Sequence, residues 1–415
     1  MNIKLHYGLD SELKISSDDQ NLLYFHGQNT PTALGAEELL SEVRQSLETP
    51  INFPSFRECL LDDDRLVIPI APGIPQIELI LQSVLKYVFS GPEIHRPAYV
   101  TILRTKEDEA AGKPRLEKIL SDESMKKRVE IVTHHPEKKE ETAWLGVAAT
   151  NETIVINRKM FDAEMVLPIG YFLPKNTSGN LGIHTAIYPL FSDEQTQKRY
   201  ENYGPQLHAS NHELMHQLKD EAAEATRQLG VQCMIQVVPG IPARGKTGIA
   251  RVMVGEFHEL EVDGYSLYRE IWTNHSSQKP ELVLASVTGT AASDWSSVMA
   301  ALVNASRLAP NDGGIIVLCS ELGGELPRSL EIWRHVQNFE TAAKFIRREE
   351  LPDAALAVEM LRVLTTHRVF FLSRLDGNLL EEIGIMPLTD EMEFERLLAK
   401  CHSFSILPDA QRIIF

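Results

Sequence analysis

The sequence predicts an α/β protein of two domains, and three observations predict it. Short runs rich in Val and Ile alternate with amphipathic stretches along nearly all of the 415 residues. That length suits two domains, each large enough to bury a core without covalent staples. A polar segment with Ser and Pro, "NHSSQKPE" at 274–281, interrupts the alternation and separates two βα series.

In the first series the strand runs are "RLVIPI", "AYVTILR", "RVEIVT", "TIVIN", "EMVLPIG", "VQCMIQVV" and "ARVMV". They are β-branched, short and bounded by turn residues, as buried strands are. The helical patterns among them are "AEELLSEVRQSL", "QIELILQSVLKYVF" and a long stretch from about Gln206 to Gly230, each with apolar residues at helical spacing. In the second series the strands are "ELVLASV", "GGIIVLC", "HRVFFLS" and "FSIL", and the helices "SSVMAALVNASRL" and "DAALAVEMLRVL". A final apolar run, "RIIF", reads as a strand returning to the first sheet. The expected domains are therefore 1–278 together with 404–415, and 281–403.

Formal charge is 41 minus 58, or −17, and the basic residues lie among acidic ones, as in "SDESMKKRVE". A nucleic-acid surface needs a basic patch or stripe, so that class is excluded. Cys59, Cys233, Cys319 and Cys401 are far apart and form no CxxC pair, which argues against a disulfide framework and against a cysteine zinc site. No apolar run reaches the roughly 20 residues of a membrane span, and "MNIKLHYGLD" is unlike a signal peptide. A cytoplasmic protein with no membrane partner is expected.

Residues 212–216 read HELMH, which fits the HExxH pattern of zinc hydrolases. On a helix His212 and His216 share a face, and Glu213 would polarise a metal-bound water. The third ligand is not indicated, since the HExxHxxGxxH extension fails at Lys219. The competing reading is a solvated His face on a surface helix, and it is the expected one, with the zinc hydrolase as a weaker alternative.

Residues 151–192 carry a polar, glycine-containing loop after a buried strand, the usual place for a ligand in an α/β sheet. The segment "GYFLPKNTSGNLGIHTAIYP" resembles the GxIxPHFFAGFSGGxKxxxPG-like segment of the nickel-dependent lactate racemase family. It keeps Gly170, the spacing of Pro174, Gly179, Gly182 and Pro189. "LETPINFPSF", "RLVIPIAPGIPQIELIL", "VQCMIQVVPG" and "APNDGGIIVLCSELGG" are similar in layout to further segments of that family. The resemblance implies two α/β domains with an active site in the cleft between them. It also implies a racemase or epimerase of small 2-hydroxy acids that uses a nickel pincer nucleotide.

The chain departs from the pattern where that chemistry resides. "IAPGIP" replaces an SDxTRP segment, and "LRTKED" stands where a GxHRP segment with a catalytic His is expected. Lys175 takes the place of the segment's nickel-serving His, and His184 or Thr185 that of the Lys that anchors the nucleotide. Tyr200 and Glu201 fall where a further nickel-ligand His belongs. If an activity persists, Lys175 and His184 are the candidate catalytic groups. Arg104, Gly179, Gly182 and Thr185 are then the candidate substrate or cofactor contacts. The pincer nucleotide is not expected to bind. The alternative is a non-catalytic scaffold that binds a small anion or a protein.

Overall fold

The computed structural model describes residues 2–16, 19–28, 32–106, 109, 126–173, 182–203, 212–241, 248–311, 313–349, 351 and 353–415. The strands are β1 (Asn2–Tyr7), β2 (Ser11–Ser16), β3 (Leu22–Phe25), β4 (Arg65–Pro69), β5 (Tyr99–Arg104) and β6 (Val129–Thr133). There follow β7 (Thr142–Val147), β8 (Thr153–Asn157), β9 (Met165–Val166), β10 (Ile169–Tyr171), β11 (Met234–Gly240) and β12 (Gly248–Gly255). The last are β13 (Leu282–Ser286), β14 (Ile315–Cys319), β15 (Arg368–Leu372), β16 (Met386–Leu388) and β17 (Phe404–Leu407). The protein is α/β, as its alternating pattern predicts.

The first half builds a parallel sheet of order β6-β5-β4-β9 and a mixed one of order β10-β11-β12. They are stitched together where the Ala71 N–H donates to the Ile169 carbonyl at 2.9 Å, just beyond β4. Helices Ala36–Glu48 and Ile77–Ser90 pack on one another, and helix Phe257–Trp272 lies against β11 and β12. The Glu256 carboxylate caps that last helix by accepting from the Glu259 N–H, which satisfies a donor otherwise orphaned at a helix start.

The second sheet is parallel throughout, in the order β16-β15-β14-β13-β17-β3. Both faces are covered, so its strands are apolar on both sides. Val283 and Ala285 face the main core under helix Trp295–Leu308, while Leu282 and Leu284 face the β1–β2 hairpin. Ile3, Leu5, Leu13 and Ile15 of that hairpin complete the smaller core with Phe394 and Leu398 of helix Glu391–Leu398.

This topology corrects one expected boundary. Phe404–Leu407 does not return to the first sheet; it is inserted between β13 and β3. Of "RIIF" only Ile414 pairs, through a single bridge to Thr273. β3, from early in the chain, likewise belongs to the second sheet. An apolar run advertises burial but not its partner, and β17 is short and fully buried, so either sheet would satisfy its composition.

Candidate functional site

In open parallel sheets ligands sit beyond the carboxyl ends of the strands, where strand order reverses direction. The first sheet reverses at β4, with β5 and β6 on one side and β9 on the other. The described residues bordering that point are "IAPGIP" after β4, Thr105 and Lys106 after β5, and Phe172 and Leu173 after β10. Gly73 in the first loop has φ 74, a left-handed conformation that glycine adopts without strain.

Arg104 ends β5 and is 6% exposed. Its Nε donates to Thr133 Oγ1 at 3.0 Å and its Nη2 to Glu109 Oε1 at 3.3 Å, while Nη1 is buried with no hydrogen-bond partner among the described residues. Beside it, His134 is fully engaged. Its Nε2 donates to the Ser192 carbonyl at 2.8 Å, and its Nδ1 lies 2.9 Å from Asn157 Nδ2. Burial holds His134 neutral to lower pH than usual, against a small pull from the Ser192 carbonyl. It is a structural residue joining β6 to β8.

On the other side, Gly170 lies opposite Gln236 of β11, and a Cβ at 170 would meet Gln236 Oε1 at 2.5 Å. A larger residue at 170 would have to displace the ends of the Gln236 and Met234 side chains, so close packing favours glycine there. Lys175 and Gly179 lie outside the described residues. The chain re-enters at Gly182, with φ 101, and turns through Ile183–Ala186. Thr185 Oγ1 donates to the Gly182 carbonyl at 2.6 Å, so Thr185 serves its own turn.

His184 stacks on Phe257, with ring centroids 4.6 Å apart and planes 7° from parallel. Its Nδ1 is buried with no hydrogen-bond partner among the described residues. Burial lowers its pKa, and the Glu261 and Glu256 carboxylates offset that only in part. It is a neutral imidazole at pH 7. The structure thus gathers Gly182, His184 and Thr185 into one turn over the start of helix Phe257–Trp272. The hydrogen bonds of Arg104 go elsewhere, to β6 and to the segment after β5.

HELMH opens helix His212–Gln228, the form expected. His216 is exposed, and the side chain of His212 lies outside the described residues. Among the described residues no three His, Cys, Asp or Glu side chains are placed to hold a metal ion. What fixes this helix is Glu221, one turn beyond the motif and 3% exposed. Tyr188 Oη donates to it at 2.9 Å, and Arg199 reaches it with both terminal nitrogens. Zinc ligation demands further ligands at roughly 2.0–2.2 Å. Protein equilibrated with zinc and dialysed is therefore expected to retain no stoichiometric metal by atomic absorption. One tightly held ion, lost in His216→Ala, would contradict this.

No protein-family model matches the chain, and no curated protein matches it at a significant level. Solved structures do. The lactate racemase apoprotein of Thermoanaerobacterium thermosaccharolyticum superposes with a TM-score of 0.68 at 16% identity, over 100% of this chain and 99% of that one. A crystal structure of a protein from Thermotoga maritima gives 0.60 at 13% identity, over 91% and 97%. The chain has a lactate-racemase-like fold along its full length. No helix among the described residues is long and apolar enough to cross a membrane.

The nickel pincer nucleotide that the sequence resemblance implies can be tested against the side chains in place. His184 is committed to stacking on Phe257. Tyr200, at the position expected of a nickel ligand, is 7% exposed and donates to the Leu218 carbonyl at 3.2 Å. A phenol so engaged is no substitute for a neutral imidazole. "IAPGIP" contributes no charged side chain where the nucleotide would lie. These residues do not fit the group.

Sequence reasoning singled out Arg104 and His184 and missed the role of Glu221. The signal was present in the text "KDEAAEA", an acidic residue on the Ala face of an amphipathic helix, where a buried charge needs a partner.

Proposed function

We propose that the protein binds a small carboxylate, of the size and polarity of a 2-hydroxy acid, beside β4 and β5 on a lactate-racemase-like fold, without racemising it through a nickel pincer. The observation that carries this reading is Arg104, a buried guanidinium at the switch point whose Nη1 has no hydrogen-bond partner among the described residues. Guanidinium cannot shed its proton, and its donors match a carboxylate edge. Glu109 offsets the charge from one side only, across 3.3 Å and with its side chain 31% exposed.

Racemisation requires proton or hydride transfer on either face of the substrate carbon, and general acid–base groups typically contribute about 10²–10⁴-fold each. His184 is the one imidazole in the turn after β10, and a single base leaves the second face unserved. The reading keeps the hydroxy-acid ligand implied by the family likeness and drops its isomerase step.

Calorimetric titration with D- and L-lactate tests it. Arg104→Met is expected to weaken one binding event by ~30-fold or more, the usual consequence of removing a buried charge from a hydrogen-bonded pair. Optical rotation of one enantiomer, followed with added nickel pincer nucleotide, is expected to stay constant. Affinity unchanged by Arg104→Met would sink the binding site, and racemisation abolished by His184→Ala would restore the isomerase.

A further inference from the structure

The second sheet also reverses its strand order, at β13, with β14, β15 and β16 on one side and β17 and β3 on the other. Thr288 follows β13, and Asp409 follows β17. The Asp409 carboxylate accepts from the Thr288 N–H at 2.8 Å, from Thr288 Oγ1 at 2.8 Å, and from Gln411 Nε2 at 3.2 Å. Three residues on stands Arg412, 6% exposed. Among the described residues its guanidinium makes neither a hydrogen bond nor an ion pair, and its Nε and Nη1 are buried and unpartnered.

Its neighbours are aromatic. The guanidinium carbon lies 4.9 Å from the centre of the Tyr171 ring and 6.0 Å from that of Trp272. Tyr171 is the last residue of β10, so the cluster joins the carboxyl ends of strands from both halves of the chain. Tyr171 Oη is itself buried with no hydrogen-bond partner among the described residues. Burial pushes its pKa up to about 12, which keeps it a hydrogen-bond donor at any physiological pH.

Burying an ion is costly even after relaxation, and a cation–π contact returns only part of that cost. Asp409 contributes attraction from a distance, with its oxygens engaged by Thr288 and Gln411. The arrangement is also held rigidly. Tyr268 Oη donates to the Arg412 carbonyl at 2.6 Å, Asn304 Nδ2 donates to the carbonyls of Ala410 and Ile413, and the Ile414 N–H donates to the Trp272 carbonyl at 2.8 Å. A guanidinium fixed in this way, with no anion bonded to it among the described residues, is preorganised for one. Directly after Thr288, Gly289 at φ 68 faces open space, with nothing within 4 Å of where a Cβ would stand.

We infer that Arg412 and Tyr171 form a seat for a small monocarboxylate at the carboxyl ends of β13 and β17, separate from the site at Arg104. The guanidinium edge takes the two carboxylate oxygens, the Tyr171 hydroxyl supplies a further donor, and Trp272 offers an apolar wall to a short organic stem.

The test uses the full chain in the Arg104→Met background, so that the site at β5 is silent. Thermal unfolding is followed with increasing sodium acetate against sodium chloride at matched ionic strength. Acetate is expected to raise Tm saturably beyond chloride, with an apparent affinity about tenfold weaker once Tyr171→Phe is added. Adding Arg412→Met is expected to abolish the acetate effect, because no cation remains. Should Arg412→Met fail to fold, Tyr171→Phe decides. An absence of any acetate effect in Arg104→Met, or an effect that survives both further changes, overturns the inference. Either result leaves the reading at Arg104, which rests on the difference between wild type and Arg104→Met, to stand or fall separately.

Discussion

Glu221→Ala is expected to remove about 3–5 kcal/mol from the free energy of unfolding, the usual cost of stripping one member from a buried charge pair. The carboxylate is 3% exposed and is shared by Tyr188 and Arg199, whose side chain keeps 19% of its surface in water. Alanine strands both donors and empties the space the carboxylate fills. The double variant Glu221→Leu with Arg199→Met should recover part of the loss, since it removes the stranded cation as well. Urea unfolding at constant slope is the measurement. A loss below about 1 kcal/mol would place the pair among surface bridges and refute this account.

The second large effect depends on pH. His26 follows β3 and is 2% exposed, with its ring 5.7 Å from that of Trp272. Burial, with the charge of His275 as a lesser cause, lowers its pKa from 6.5 to about 4. Between those values the unfolded chain binds a proton that the folded chain refuses. The free energy of unfolding therefore falls as pH drops from 6.5 to 4, by about 3 kcal/mol from this group, and is unaffected by it above 6.5. His134 and His184 are shifted in the same direction, so His26→Phe should reduce the slope by one proton without abolishing it. Unfolding midpoints at several pH values read this directly. A slope identical in His26→Phe would show that the proton is taken up elsewhere.

Much of the fold was legible because strands covered on both faces are written as continuous apolar runs, as in β4, β5, β13, β14 and β17, and β6, β11 and β15 also coincide with runs read as strands. β1 and β2 escaped because they bury one face only. "NIKLHY" and "SELKIS" alternate, and half of each reads as surface. Helix Phe257–Trp272 was hidden by Gly264, which permits Phe172 to approach, its ring carbons 3.1 Å from where a Cβ would stand. At the candidate site, Arg104 could be named because it ends a strand run. Arg412 could not, because one basic residue inside "DAQRIIF" gives no sign that its surroundings are dry. Which strands neighbour one another is a property of the whole chain, and that is why "RIIF" was read as a strand of the first sheet, whereas Ile414 forms only a bridge to Thr273.

The position of β17 bears on how the molecule comes into being. β3 is made early in synthesis, yet its one strand neighbour among the described residues is β17. Until Phe404–Leu407 leaves the ribosome, the β1–β2 hairpin and β3 have no finished sheet to cover, and the apolar side chains of Ile3, Leu5, Leu13 and Ile15 must wait in a half-made molecule. Closing a pairing between such distant segments is slow, and the waiting intermediate exposes surface prone to association. Cutting the chain at the polar segment 274–281 would not yield two self-sufficient pieces, because the amino-terminal piece would carry away an edge strand and a lid that belong to the other.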